Sequence, residues 1–117
     1  MVYAASHASL AVLEYLAHLD IGTMPDDVVL LTLALDDDAA KFDRMPDGWD
    51  DRPSTDATRD IGSEWIRSKR SLSLSVPSVI VPNENNILIN PLHPRIFMVG
   101  ISPPFDFRLD PRLVSRR

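Results

Sequence analysis

The sequence predicts one compact domain of the α/β (α+β) class, built on a mixed sheet and spanning residues 1–117. Three observations lead there. Residues 6–19 and 56–69 carry apolar side chains at helical spacing, while several apolar runs are too short for helices and read as strands. Ten prolines, most of them after residue 76, hold the C-terminal half to turns and short strands.

In chain order, Met1 to Ala5 reads as the end of a strand. Ser6 is placed to cap a helix running to about Leu19, in which Leu10, Leu13, Leu16, Ala17 and Leu19 recur on one side and Gly22 stops the chain. Val28 to Leu35 is a continuous β-branched and leucine run, the pattern of a buried strand. Asp36-Asp37-Asp38 breaks it, and Met45-Pro46-Asp47-Gly48-Trp49 predicts a turn with one aromatic anchor. Ser54 or Thr55 caps a second helix from about Asp56 to Lys69, with Ile61, Trp65 and Ile66 inward. Leu72 to Val76 alternates and predicts a half-buried strand, and Val79–Val81, Ile87–Ile89 and Ile96–Ile101 are three further strand candidates. Phe105 and Phe107 are expected to pin the C-terminal segment to the core.

Bulk composition removes several function classes. With 12 basic and 17 acidic residues the net charge is −5, the wrong sign for binding nucleic acid through the overall field. No apolar run approaches the roughly 20 residues of a membrane helix, and the N-terminus lacks the marks of a signal peptide. The absence of cysteine excludes disulfides and thiol nucleophiles, and fits a cytoplasmic location. The basic residues gather late, at Arg108, Arg112, Arg116 and Arg117, as a solvated tail or a surface for an acidic partner.

The richest segment for chemistry is Val76 to Pro94. Two prolines bracket a short apolar run, a knot of one carboxylate and three amides follows, and a second apolar triplet ends in Asn90-Pro91. Buried polar side chains each require a partner, so such a density beside a pinned backbone suggests a ligand-shaping loop. Ser78 lacks the Gly-x-Ser-x-Gly setting of a nucleophile and reads either as a ligand-holding hydroxyl or as a cap on its own backbone. Asn86 and Asn90 would bond a ligand or satisfy the turn enforced by Pro91, whereas His93 suits packing. On the first helix, Glu14 has Leu10, Ala11, Ala17 and His18 as neighbours. A carboxylate on such a face either reaches water at an edge or is held for a task. His7, Glu14 and His18 share a stripe, but the gap from His7 to Glu14 is too long for metal ligands on consecutive turns, so no metal site is predicted.

Val2-Tyr3-Ala4-Ala5, the helix bearing Glu14, Met45 to Trp49, Gly62 with Trp65, Val76-Pro77-Ser78, Asn86 to Pro91 with His93-Pro94, and Phe107-Arg108-Leu109 together resemble the RES-domain family. These are toxins of bacterial toxin–antitoxin pairs, named for an Arg-Glu-Ser trio. The resemblance implies an ADP-ribosyltransferase-like fold. It also implies cleavage of the nicotinamide–ribose bond of NAD with phosphate or water as acceptor, with NAD as substrate and no other cofactor. The implied partner is an Xre-like helix-turn-helix antitoxin that blocks the active site, in a homo-oligomer or a toxin–antitoxin hetero-oligomer. Carried over by position, Glu14 and Ser78 match the glutamate and serine of the trio and are the implied catalytic residues. Tyr3 matches an aromatic on the nicotinamide side, and Asn86 an asparagine further along the loop, both as substrate-binding residues.

The trio's arginine lies, in the family, on a segment preceding the Val-Tyr-Ala strand. Here that strand begins at Val2, and none of Arg44, Arg52 or Arg59 stands at the matching place. A guanidinium that clamps a diphosphate is not readily replaced. The expectation is therefore an N-terminally truncated domain, with two functional readings: an NAD-degrading enzyme once that segment is supplied, or a catalytically inactive module that still binds the antitoxin.

Overall fold

The computed structural model describes residues 1–19, 25–35, 40–41, 49 and 56–114. Among them a four-stranded mixed sheet organises the chain, in the order β1 (Val2–Ala5), β6 (Asn85–Ile89), β5 (Ser73–Pro77), β4 (Ala40–Lys41). β1, β6 and β5 run antiparallel, and β4 joins β5 in parallel. Helix α1 (Ala8–Ala17) leaves directly from β1, and α2 (Asp56–Ser68) precedes β5.

The core sits where α2 crosses the sheet. Trp65 is fully buried against Leu74 and Leu88, which face each other in the β5–β6 register, with Met1, Ile66 and Val76 packed around them. Trp65 is satisfied at its polar end, since its Nε1–H donates to Ser71 Oγ at 2.8 Å and Ser71 donates in turn to the Ser73 carbonyl at 2.9 Å. That chain of bonds satisfies the buried Ser71 hydroxyl; Ser73 and Ser75 are buried too, contrary to the half-buried strand that the alternation predicted. α2 ends on Lys69, whose φ of 54° lies in the left-handed region usually left to glycine.

Asn90 is fully buried and resolves its two readings in favour of the turn. Its Nδ2 donates to the Ile66 carbonyl at 2.9 Å, tying α2 to the end of β6, and its Oδ1 accepts the Leu92 N–H at 3.0 Å. His93 is buried beside it, and its Nδ1 accepts the Arg95 N–H at 3.0 Å, the packing role expected.

The other described strands form a two-stranded arm. β2 (Val29–Leu30) and β3 (Leu33–Ala34) pair antiparallel with β8 (Phe105–Asp106) and β7 (Gly100–Ile101). Here the structure departs most from expectation. The run from Val28 to Leu35 is no interior strand, since Val29 is 50% and Leu31 42% exposed. Its partner strand carries Pro103-Pro104, which interrupts the ladder between the two pairs. Ile96–Met98 is a 3₁₀ turn rather than the start of a strand, and residues 79–81 form a bend. Phe105 is 55% exposed, and the C-terminal anchor is Leu109, followed by α3 (Pro111–Val114). Arg112 is engaged beside it by Asp110 (Nη2 to Oδ2, 2.7 Å), whose carboxyl the guanidinium holds down to about 2. The predicted stop at Gly22, the Asp36–Asp38 break, the caps at Ser54 or Thr55, Arg44, Arg52 and the tail at Arg116 and Arg117 lie outside the described residues. So does all of the Met45–Trp49 turn except Trp49. Among the described residues no helix is long and apolar enough to cross a membrane.

Candidate active site

Pro77 ends β5 and Ser78 opens a tight loop. The Ser78 N–H donates to the Glu84 carbonyl at 2.9 Å, and the Glu84 N–H donates to the Val81 carbonyl at 2.8 Å. Inside this loop the Ser78 hydroxyl accepts the N–H groups of Ile80 at 3.0 Å and Val81 at 3.1 Å. Serine is suited to this back-bonded turn, in which a short side chain replaces a backbone acceptor. The residue is fully buried.

Across from the loop stands α1. Its start is fixed because the Ser6 N–H donates to the Asn85 carbonyl at 3.1 Å, extending the β1–β6 ladder by one step. Leu10, almost wholly buried, anchors the helix. The cap position is His7 rather than Ser6, with no side-chain cap bond; Ser6 Oγ lies 2.9 Å from His7 Nδ1 instead. His7 Nδ1 also stands 3.5 Å from Glu84 Oε1, between the start of the helix and the end of the loop.

Glu14, half-buried and about two turns on from His7, meets the loop. Ser78 Oγ donates to Glu14 Oε1 at 2.8 Å. The direction of that bond follows from counting. A hydroxyl has one hydrogen and two acceptor positions, and both acceptor positions are taken by Ile80 and Val81. The hydrogen is left for the carboxylate, so Oε1 carries no proton. The other oxygen, Oε2, makes no hydrogen bond among the described residues. Ser78 thus has no bonding capacity left for a ligand. Of the two sequence readings of its hydroxyl, the cap on its own backbone is the one these bonds show, and the side chain also positions Glu14.

Tyr3 and Asn86 occupy the sheet beside this junction. The register sets Tyr3 against Leu88 and Ala5 against Asn86, with Val76 across from Asn86 on the other flank. Alternation therefore places Tyr3 and Asn86 on one face, as diagonal neighbours, together with Leu74, Val76 and Leu88. Tyr3 is 74% exposed. Asn86 Oδ1 is buried and has no hydrogen-bond partner. Such an orphan acceptor costs on the order of 1–3 kcal/mol, so it calls for an explanation.

The structure thus brings Glu14 and Ser78 into direct contact across 64 residues of sequence and sets Tyr3 and Asn86 side by side on the sheet. It does not assemble the metal stripe. Among the described residues no three His, Asp or Glu side chains cluster, and His18 Nδ1 instead donates to the Glu14 carbonyl at 2.8 Å. Sequence reasoning missed the contribution of Glu84, whose backbone closes the Ser78 loop from both sides. Its one signal was the spacing of Pro77 and Pro82 around the serine.

A family model for the RES domain matches residues 1–110, and the chain belongs to that family. It is 37% identical over 122 residues to a Prs ADP-ribosylating toxin of Sphingobium sp., a match covering 99% of this chain and 76% of that protein. It is 38% identical over 117 residues to a toxin Res of Yersinia enterocolitica, covering 96% of this chain and 76% of the relative. A toxin Res of Photorhabdus laumondii is 36% identical over 120 residues, with 99% and 77% covered.

Proposed function

We propose that this RES-domain chain acts as the NAD-degrading toxin of a bacterial toxin–antitoxin pair, with Glu14 as the catalytic carboxylate. The observation that carries the reading is the 2.8 Å bond from Ser78 Oγ to Glu14 Oε1. It joins the two residues that match the family's glutamate and serine, and it leaves Glu14 Oε2 unbonded. The toxin names of the relatives support the same class.

The chemistry follows from what the bond break requires. As the bond between ribose C1′ and the nicotinamide nitrogen breaks, nicotinamide leaves with the electron pair and loses its positive charge. The sugar becomes oxocarbenium-like, and the acceptor oxygen of water or phosphate then adds to C1′. A fixed carboxylate next to C1′ stabilises the developing charge, an effect worth about 3–4 kcal/mol when a single such group is removed. Ser78 holds that carboxylate in one rotamer before substrate arrives, so less reorganisation remains for the reaction itself. Tyr3 supplies an open aromatic face for the nicotinamide side. Asn86 supplies an acceptor for a donor group of the substrate, which would relieve its unpaired oxygen. An Xre-like helix-turn-helix antitoxin is the implied partner. The Sphingobium relative's name, an ADP-ribosylating toxin, fits cleavage of the same bond.

The second reading is an inactive module that only binds the antitoxin, since none of Arg44, Arg52 or Arg59 stands at the place of the trio's arginine in the sequence. Glu14→Gln separates the two, because the amide can still accept the Ser78 hydroxyl while losing the charge. The catalytic reading expects NAD consumption by the purified chain to fall about 100-fold or more with the melting temperature unchanged. A parent chain that consumes no NAD yet binds its antitoxin with the affinity of Glu14→Gln would establish the inactive module.

A further inference from the structure

Among the described residues the arm formed by β2, β3, β7 and β8 has two edges with no neighbouring strand, of different character. The Phe107 N–H donates to the Val28 carbonyl at 3.0 Å and the Ser102 N–H to the Thr32 carbonyl at 2.9 Å. Residues 28, 30, 32 and 34 therefore turn their backbone groups toward the partner strand, and alternation turns those of Val29, Leu31 and Leu33 outward. Among the described residues no hydrogen bond of these three outward groups is found. The opposite edge is guarded by Pro103-Pro104, which offer no N–H to a further strand. The edge at β2 and β3 has no such guard: from Val28 to Leu35 it holds neither a proline nor a charge.

A continuous apolar run is the composition of a strand covered on both faces, yet here Val29 and Leu31 are 50% and 42% exposed. Ile101, on the same face as Leu33 by register, is 67% exposed. Among the described residues, edge and face thus both lack a cover. The flanks say what kind of cover fits. Exposed Asp26 and Asp27 precede the run, and neither forms an ion pair, although Arg108 extrapolates to the position across the ladder from Asp27. In sequence, Asp36-Asp37-Asp38 follow it. The complementary occupant carries the opposite sign.

We propose that the outer edge of β2 and β3 docks an extended segment of a partner protein, apolar at its centre and basic on its flanks, as an added β-strand. Backbone bonds to Val29, Leu31 and Leu33 supply the affinity, and the aspartates select the partner by charge. The proposal is independent of the NAD reading.

A fluorescein-labelled synthetic peptide, Lys-Arg-Val-Thr-Val-Thr-Val-Arg-Lys, tests it by anisotropy against the purified chain. A control peptide has the same core with glutamates in place of its basic flanks. The basic peptide is expected to bind about tenfold or more tightly than the acidic one. Leu31→Pro, which removes an outward N–H without touching the internal ladder, abolishes binding, whereas Ile101→Pro on the guarded edge retains it. Should Leu31→Pro fail to fold, the exposed pair Asp26→Lys and Asp27→Lys decides, and is expected to invert the preference between the peptides. Equal binding of both peptides, no binding of the basic one, or a preference unchanged by that pair would overturn the proposal. Concentration-dependent dimerisation lost in Leu31→Pro would equally overturn it, in favour of a second copy.

Discussion

Removing the Ser78 hydroxyl perturbs fold and site at once, and the structure fixes the expected size of each effect. Ser78→Ala deletes one bond to a carboxylate, at 2.8 Å, and two acceptor contacts to backbone N–H groups at 3.0 and 3.1 Å. A hydrogen bond to a charged group contributes roughly 1.5–3 kcal/mol and a neutral one roughly 0.5–1.5. The loop amides are only partly buried and regain some solvation from water, so the sum is best placed near 3 kcal/mol rather than at the upper end. For a chain of this length that corresponds to a fall in melting temperature on the order of 10 °C.

The same deletion releases Glu14, whose carboxylate is then free to rotate away from the substrate. Turnover is expected to fall through kcat more than through KM, because Ser78 has no bonding capacity left for the substrate itself. A double-mutant cycle with Glu14→Ala, read by urea denaturation, isolates the pair. The coupling is expected at about 1.5–3 kcal/mol, well above the uncertainty of such cycles. A Ser78→Ala protein that melts within about 2 °C of the parent while its KM rises alone would refute the reasoning. It would show that the hydroxyl faces substrate and that the bond to Glu14 is dispensable.

Further outcomes follow from other contacts. Asn90→Ala removes the clasp between Ile66 and Leu92 at a fully buried position and is expected to cost about 2–4 kcal/mol in chemical denaturation. A loss below about 1 kcal/mol would mean that water replaces the amide there. Trp65→Phe keeps most of the core volume but strands Ser71 Oγ without its donor, so about 1–2 kcal/mol is expected against about 3–5 for Trp65→Ala. Equal losses would leave the Ser71 bond without energetic weight. Lys69→Gly relieves a left-handed backbone position and should raise stability by about 1 kcal/mol, a gain that calorimetry detects. No change, or a fall in melting temperature, would deny that Lys69 is strained.

How much of this was legible in the sequence depended on how far each residue's partners lay from it. Helix α2 was read almost to the residue, because the spacing of Ile61, Trp65 and Ile66 is a local signal. The strand candidate Ile87–Ile89 was likewise recovered, as the C-terminal part of β6 (Asn85–Ile89). The run from Val28 to Leu35 failed for the opposite reason. Its burial depends on a partner strand some seventy residues away, whose prolines at Pro103 and Pro104 interrupt the pairing. Val79–Val81 failed because the Ser78 side chain competes with the ladder for the backbone, drawing the N–H groups of Ile80 and Val81 inward. The serines of β5 looked solvent-facing by alternation, and no local signal revealed that the Trp65 indole would reach Ser71. Periodicity gave Glu14 an apolar face and left its purpose open. Only the resemblance paired it with Ser78, and the structure added the geometry.

The contrast between Ser78 and Asn86 carries the functional argument further than either residue alone. Both are polar groups that the fold takes out of water, and folding tolerates such burial when the bonds lost to solvent are replaced. Ser78 is satisfied in full, which marks it as part of the scaffold that holds the carboxylate. Asn86 is left with a buried, unpaired oxygen on the face it shares with Tyr3, where the proposed function places a donor group of the substrate. If the orphan is held for a ligand, removing it should help the fold and harm the function. Asn86→Ala is therefore expected to match or exceed the parent in thermal stability while NAD turnover falls, the trade-off of a site that stores unfavourable energy. Isothermal titration and a melting curve on the same two proteins measure both sides. A variant that loses stability with its NAD affinity intact would mean that the amide serves the fold through its Nδ2 end, and the asparagine would join Ser78 in the scaffold.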